Sequence, residues 1–223
     1  MGTKPSNATI LENLRTGTAR FEFIPSASTF LGFPFSLSMC SNPRFFARIG
    51  ASLEREEESG AMKKVERFEV RRITGDGRCM FRALVRGMAA NKGMSLTSHE
   101  ERQDADDLRL AVKEVMCEDE RERKQYKEAL VAITVEEPLN RYCQRIERAD
   151  FWGGESELLV LSKLCKQPIT VYIPEREHKN SRGSGFIPIA KYGAEYRKGS
   201  GRRKARQVVR LLYSGRNHYD LLV

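Results

Sequence analysis

The arrangement of hydrophobic and polar residues changes near residue 65 of this chain. Before that point, apolar residues follow neither the helical nor the strand period, and Pro25, Pro34 and Pro43 interrupt the pattern. Residues 51–64 are mostly charged and polar. From Val65 onward, apolar positions alternate or recur with the spacings typical of strands and helices. We therefore predict a poorly ordered extension over 1–64 and one folded domain over 65–223.

The folded part begins with a predicted strand, a turn and a helix. Residues 68–73 alternate well enough to form a first strand. The turn at 74–78 contains two glycines, and a helix is predicted from Cys79 to about residue 92. Its apolar stripe follows the i, i+3, i+4, i+7 spacing of a buried helix face and consists of Phe81, Leu84, Val85 and Met88.

Several more elements follow from the same patterns. Charged helical sequence covers 104–132, and two further helices begin at Pro138 and shortly before Leu158. The predicted strands are 168–173, 208–213 and 219–223, with 214–217 as the hairpin loop between the last two. Residues 174–206 are predicted to be loop-rich, with a short apolar piece at 186–189.

The chain is basic, but its excess charge is confined to two segments. The 39 Lys and Arg residues exceed the 30 Asp and Glu residues by nine. Residues 1–50 and 197–206 account for that whole excess, so the remainder is neutral by count. This distribution disfavours a nucleic-acid-binding domain. No aromatic residue lies within 197–206 to stack on bases, so we predict a solvated loop there.

Cysteine usage and hydropathy exclude other classes of protein. No apolar run reaches the length of about 18 residues that a membrane-spanning helix needs. The five cysteines form neither a C-x-x-C motif nor a zinc-ligand cluster, so free thiols in a reducing compartment are predicted. Cys143 and Cys165 are predicted core thiols, and Cys117 a structural residue. No metal and no organic cofactor is predicted.

The N-terminal segment leaves the location of the protein open. Residues 1–50 are rich in Ser and Thr and poor in acidic residues. Organelle transit peptides share this composition, and an untargeted extension is the alternative. The two interpretations predict a plastid protein and a cytoplasmic or nuclear protein, respectively.

Cys79 is the candidate nucleophile. It stands where a glycine-containing turn enters a helix, and the first turn of a helix has unpaired N–H groups and a partial positive charge. Both features favour the thiolate, so we expect a lowered pKa for the Cys79 thiol. The backbone N–H groups of the turn at Gly77 and Arg78 are candidate donors to an oxyanion.

His218 and Asp220 supply the general base that such a nucleophile requires. His218 follows the predicted hairpin loop and opens the last strand. Residues i and i+2 of a strand face the same side, so the Asp220 carboxylate is placed to orient the His218 ring and to favour its charged form.

Three blocks, in order along residues 65–223, resemble the ovarian-tumour (OTU) family of cysteine proteases. Residues 75–83 resemble its nucleophile motif and read Gly-Asp-Gly-Arg-Cys-Met-Phe-Arg-Ala. Residues 152–158 resemble its second block and read Trp-Gly-Gly-Glu-Ser-Glu-Leu. Residues 217–220 resemble its histidine block and read Asn-His-Tyr-Asp. The nearest resemblance is to plant members of the family.

The resemblance implies an α+β, papain-like fold with a small central β-sheet flanked by helices. It also implies hydrolysis of isopeptide or peptide bonds at the C-terminal glycine of ubiquitin, with Cys79 as nucleophile and His218 as base. Asp76 matches the motif aspartate, which the resemblance implies is a catalytic residue, although its position three residues before Cys79 favours a role in shaping the turn. Which of Asp76 and Asp220 orients His218 is left open by the sequence. The family's motif more often has Asn where this chain has Arg78.

The implied partners are ubiquitin and ubiquitinated proteins, without a membrane, and the chain is expected to be monomeric. The alternative function is a catalytically weak or inactive ubiquitin-binding module on the same fold. The alternative to a solvated loop at the basic segment 197–206 is a contact for a ubiquitin chain or an acidic substrate. Trp152 is predicted to be a packing anchor, with covering of the active-site cleft as the alternative.

Overall fold

Among the described residues, five β-strands form one mixed sheet, in the order β1-β5-β4-β2-β3. The computed structural model describes residues 65–177, 183–198, 205–214 and 217–223, so the predicted extension lies outside them except for its boundary at residue 65. The strands are β1 (Val70–Arg71), β2 (Ile169–Pro174), β3 (Phe186–Tyr192), β4 (Val209–Tyr213) and β5 (Tyr219–Leu222). Strands β2 and β4 pair in parallel, and the other neighbours are antiparallel.

Six α-helices accompany the sheet in the part of the chain that the structure describes. They are α1 (Cys79–Asn91), α2 (Ser98–Lys113), α3 (Glu120–Arg123), α4 (Lys127–Glu136), α5 (Leu139–Ile146) and α6 (Glu155–Cys165). A π-helical turn at Glu114–Glu118 follows α2, and 3₁₀ turns lie at Lys124–Tyr126, Glu175–Glu177 and Ala194–Arg197. The predicted α+β fold with a small sheet and flanking helices is confirmed. None of the helices described is long and apolar enough to cross a membrane.

Helix α1 packs closely on the sheet because Gly87 has no side chain. A Cβ atom at Gly87 would lie 2.5 Å from Cγ1 of Val209 on β4 and 3.1 Å from Cδ1 of Leu221 on β5. The buried face of α1 includes the predicted stripe, Phe81, Leu84, Val85 and Met88. This packing fixes the helix that begins at Cys79 against the strand that follows His218.

The predicted helical segment 104–132 is divided in the structure. Helix α2 begins six residues earlier, at Ser98, because Thr97 and Glu100 form a reciprocal capping box. The chain breaks again at Asp119, whose carboxylate accepts hydrogen bonds from the backbone N–H groups of Arg121 and Glu122 and starts α3. Charge and apolar spacing alone did not distinguish these caps from interior positions.

The sheet differs from the prediction at both edges. Strand β1 has two residues, although a strand over 68–73 was predicted. The predicted loop 174–206 contains the seven-residue strand β3, which pairs with β2 and includes Pro188. An edge strand tolerates proline because only one of its sides joins the ladder. Because a proline usually argues against a strand, the sequence pattern did not predict β3.

Two cysteines predicted to be free thiols are joined. Cys117, in the π-helical turn, forms a disulfide with Cys143 on α5, so the free-thiol prediction is wrong for this pair. Helical periodicity places each cysteine on a face of its own helix but does not show which residue of another helix faces it. Cys79 and Cys165 are free and buried, and Cys40 lies outside the described residues.

Candidate active site

The nucleophile candidate lies at the first residue of α1, in contact with the segment that enters β5. Cys79 is 2% exposed. Its Sγ–H donates to the backbone carbonyl of Asn217 at 3.8 Å, and Asn217 directly precedes His218. The packing of α1 on the sheet thus brings together two blocks that lie far apart in the sequence.

His218 is held by the carboxylate of Asp220. The two side chains meet at 3.1 Å, between Nε2 of His218 and Oδ1 of Asp220. Asp220 is 0% exposed, and its Oδ1 also accepts a hydrogen bond from the Ile73 N–H at 2.8 Å. A Cβ atom at Gly75 would lie 3.6 Å from Nδ1 of His218. The other ring nitrogen therefore lies beside the turn that leads to Cys79.

Asp76 faces the turn and α1. Its Oδ1 accepts from the backbone N–H of Arg78 at 3.2 Å, and its Oδ2 accepts from Nη2 of Arg82 at 2.6 Å. Partial burial acts to raise the pKa of Asp76, but the hydrogen bonds and charges of Arg82 and Arg78 outweigh it and lower the pKa. Of the two candidate carboxylates, Asp220 contacts His218 and Asp76 secures the turn.

The turn requires glycine at residue 77. Gly77 has a φ of +79°, in the left-handed region, and a Cβ atom there would lie 3.0 Å from Cα of Asp150. Arg78, the next residue, has its N–H engaged by Asp76 and its Nε bound to Asp106 of α2 at 2.8 Å. Arg78 therefore ties the turn to α2, and its N–H is less free for an oxyanion than the sequence suggested.

Burial changes the expected ionisation of Cys79. Desolvation raises the pKa of the Cys79 thiol, and the N–H groups of Tyr219 and Met80 only partly offset this. The nearby charge of Asp76 raises it further. The predicted lowering of this pKa is therefore wrong, because the closed cleft disfavours the thiolate more than the start of the helix favours it. The same N–H groups remain available to a negative charge near the sulfur.

Alkylation of Cys79 by a small neutral reagent should consequently continue to accelerate above about pH 8. The thiolate is the reactive species, and a raised pKa lowers its fraction near neutrality, so the rate rises as the pH passes through that pKa. Mass spectrometry of the modified Cys79 peptide at a series of pH values measures this. A rate that reaches its plateau below about pH 7 contradicts a thiol that is neutral at rest.

Trp152 lines a cavity together with residues that flank His218 in the sequence. The cavity has a volume of about 220 Å³, and Trp152, Gly153, Tyr213, Asn217 and Tyr219 contribute to its walls. Trp152 is 47% exposed, so the predicted packing anchor is wrong. The neighbouring Phe151 is the buried ring and packs edge-on against Tyr142. Trp152 instead lines this cavity, whose walls include neither Cys79 nor His218, so covering of the active-site cleft stays a prediction.

The second sequence block contacts the nucleophile helix directly. A Cβ atom at Gly153 would lie 2.5 Å from Cε of Met80 and 3.0 Å from the ring of Phe81. The absence of a side chain at Gly153 lets this loop approach the residues that follow Cys79. All three blocks therefore meet at the start of α1.

Sequence reasoning missed two arginines at this site. Arg82 is 3% exposed and bridges Asp76 and Glu101, and Arg72 contacts Asp220 at 2.8 Å. Arg82 lies inside the nucleophile block, which was the only available signal for it. Arg72 lies outside the three sequence blocks, so no motif pointed to it. Within the described residues, no group of three or more His, Cys, Asp or Glu side chains is arranged to hold a metal ion.

The chain is similar in sequence to known proteins. A family model described as OTU-like cysteine protease matches residues 74–219. The chain is 60% identical over 230 residues to OVARIAN TUMOR DOMAIN-containing deubiquitinating enzyme 3 of Arabidopsis thaliana, covering 97% of each chain. It is 34% identical over 152 residues to deubiquitinating enzyme 4 of the same plant, covering 68% of this chain and 42% of that protein.

Solved structures with similar folds include two ubiquitin complexes. One is an OTU deubiquitinase from Wolbachia pipientis wMel bound to ubiquitin, with a TM-score of 0.46, 19% identity, and coverage of 70% of this chain and 95% of the other. Another is the Hazara virus OTU bound to ubiquitin, with a TM-score of 0.45, 23% identity, and coverage of 70% and 80%.

Proposed function

This chain belongs to the OTU family of cysteine proteases, and on that premise we propose how it acts as a deubiquitinating enzyme. It cleaves peptide or isopeptide bonds at the C-terminal glycine of ubiquitin, with Cys79 as nucleophile and His218 as base. The observation that carries this assignment is the meeting of Cys79 with the Asn217–His218 segment while Asp220 holds the ring.

The reaction proceeds through a thioester. The Cys79 thiol gives its proton to Nδ1 of His218 as the sulfur attacks the carbonyl carbon of the terminal glycine. Backbone N–H groups at the start of α1 stabilise the resulting oxyanion. His218 then protonates the leaving amine, and the C–N bond breaks. Water, deprotonated by His218, hydrolyses the thioester and releases the ubiquitin carboxylate and the free thiol.

The two carboxylates have separate tasks in this scheme. Asp220 orients His218 and stabilises the imidazolium that forms during attack. Asp76 keeps the turn in place through Arg78 and Arg82.

The partners follow from this activity. Ubiquitin and ubiquitinated proteins are the proposed binding partners, and a monomer is proposed as the active form. A cytoplasmic or nuclear location and a plastid location are the two predictions for the compartment. They depend on residues 1–50, which lie outside the described residues.

A ubiquitin derivative with a C-terminal electrophile tests the proposal. It should form one covalent adduct with the full chain, at Cys79. In a separate assay, the chain should hydrolyse ubiquitin dimers of defined linkage. The matched control is Cys165→Ala, because Cys165 is also free and buried but burial raises its pKa to about 12. This variant should react like the parent, and Cys79→Ala should not react. Binding of ubiquitin without adduct or cleavage would establish the inactive module instead.

Replacing Trp152 with Ala should raise KM for a ubiquitin substrate by about 10-fold with little change in kcat. An exposed aromatic ring gains contact area only when substrate covers it, and such contacts act on binding. Steady-state kinetics on a ubiquitin substrate measures both constants. The free energy of unfolding should change by less than about 0.5 kcal/mol, as for an exposed residue.

Fluorescence gives a second test of the same position. Trp152 is the only tryptophan in the chain, so tryptophan emission reports on the surroundings of this residue alone. Addition of ubiquitin to Cys79→Ala protein should shift that emission to shorter wavelength, relative to the two proteins measured separately. Loss of several kcal/mol of stability in Trp152→Ala, without a change in KM, would restore the packing-anchor interpretation.

A further inference from the structure

Two consecutive residues, Arg72 and Ile73, donate hydrogen bonds to the carboxylate of Asp220, one from a side chain and one from the backbone. Ile73 donates its N–H to Oδ1 of Asp220 at 2.8 Å, and the preceding residue, Arg72, donates Nη1 to Oδ2 at 2.8 Å. His218 shares Oδ1 with Ile73. Each oxygen of the carboxylate is therefore held by a donor that does not depend on His218.

The contact between Arg72 and Asp220 joins the surface to the interior. The Arg72 side chain is 81% exposed, whereas the Asp220 side chain is 0% exposed. An exposed ion pair contributes little, since water competes for both partners. Here water reaches only the arginine, so the bond at Oδ2 determines the orientation of a carboxylate that is otherwise enclosed.

The backbone around Arg72 is anchored to the nucleophile helix. Nη1 of Arg86 on α1 donates to the Arg72 carbonyl at 3.3 Å. The chain then runs from Ile73 through the turn at 74–78 directly into Cys79. The same eight-residue stretch therefore holds the carboxylate at one end and carries the thiol at the other.

We propose that Arg72 is a positioning residue for the reaction, which holds Asp220 so that its Oδ1 faces Nε2 of His218. This inference rests on the proposed function. Arg72 acts through Asp220 and does not touch the reacting atoms. Without it, no donor holds Oδ2 and the carboxylate can rotate about its bond to Cβ, so the imidazole loses its fixed orientation towards Cys79.

Kinetics of Cys79 labelling by the ubiquitin electrophile tests this role. Arg72→Met should slow labelling about 10-fold, the effect of losing one hydrogen bond to a charged group. Arg72→Lys should recover part of the rate, since an ammonium group keeps the charge and one donor. The matched control is Arg71→Met, which removes the same charge from the neighbouring exposed residue and should react like the parent.

A double variant separates positioning from direct contact with substrate. In an Asp220→Asn background, Arg72→Met should cause little further loss, because the group through which it acts is already changed. An undiminished 10-fold loss in that background would overturn the proposal and indicate that Arg72 binds ubiquitin itself.

Exchange of the Nε2–H proton of His218 with solvent provides a readout without catalysis. The chain has three histidines, so comparison with His218→Ala assigns the signal in an NMR spectrum. Exchange should be several-fold faster in Arg72→Met than in the parent or in Arg71→Met. Equal rates would reject the positioning role. If the parent fails to react with the electrophile, the proposed function fails, and this exchange rate still decides the role of Arg72.

Discussion

Asp220→Asn is expected to slow the reaction at Cys79 by about 10²–10⁴-fold, the range typical for loss of a general base or of the carboxylate that orients it. Asn occupies the same volume but has one acceptor oxygen, whereas three donors converge on Asp220: Ile73 N–H, Arg72 and His218. At least one of them must then face an amide N–H₂. The imidazolium also loses its negative partner. Rates of labelling by the ubiquitin electrophile measure the effect.

Asp76→Asn is the matched control for that experiment. It makes the same chemical change in the carboxylate that contacts Arg78 and Arg82 and has no contact with His218 among the described interactions. We expect a smaller effect on the labelling rate of the folded protein, with unfolding by urea measured for both variants. An equal or larger loss of rate in Asp76→Asn would assign the orienting role to Asp76.

Arg82→Met is expected to reduce the free energy of unfolding by about 3 kcal/mol, the lower end of the range for breaking a buried ion pair. Arg82 is 3% exposed, and its two terminal nitrogens bind Asp76 at 2.6 Å and Glu101 at 3.0 Å. Methionine fills similar space but leaves the buried Glu101 carboxylate short of a partner. Arg86 still contacts Glu101 at 3.3 Å, which limits the loss. Equilibrium unfolding in urea measures it.

Two further variants make the Arg82 result specific. Arg86→Met removes the more exposed arginine from the same carboxylate and should cost less than about 1 kcal/mol. Adding Glu101→Gln to Arg82→Met should recover part of the stability, because the unpaired buried charge is removed. If the double variant is no more stable than Arg82→Met, the loss comes from packing and not from the charge.

The local parts of this site were accessible from the sequence. The helix start at Cys79 and the juxtaposition of His218 and Asp220 follow from residues that are close together along the chain. A period of 3.6 or 2 residues encodes such relations directly. The α+β fold and the family assignment, both confirmed, rest on the three blocks and their order.

The distant contacts were not accessible in the same way. Arg72 meets Asp220 across a separation of 148 residues, and Cys117 meets Cys143 across two helices. Neither pairing leaves a periodic trace, because it depends on how whole elements pack. Burial of Cys79 depends on the same packing, which is why its pKa changes in the direction opposite to that expected from the helix start alone.

The order of strands in the sheet also sets when the enzyme becomes active. Strand β5 lies between β1 and β4 although it follows both in the chain. The ribosome makes Cys79 138 residues before Asn217, an interval of roughly 7–28 s at about 5–20 residues per second. During that time the growing polypeptide has Cys79 but lacks His218. A nascent chain therefore cannot hydrolyse ubiquitin conjugates near the ribosome, and activity begins only after β5 has been made and inserted.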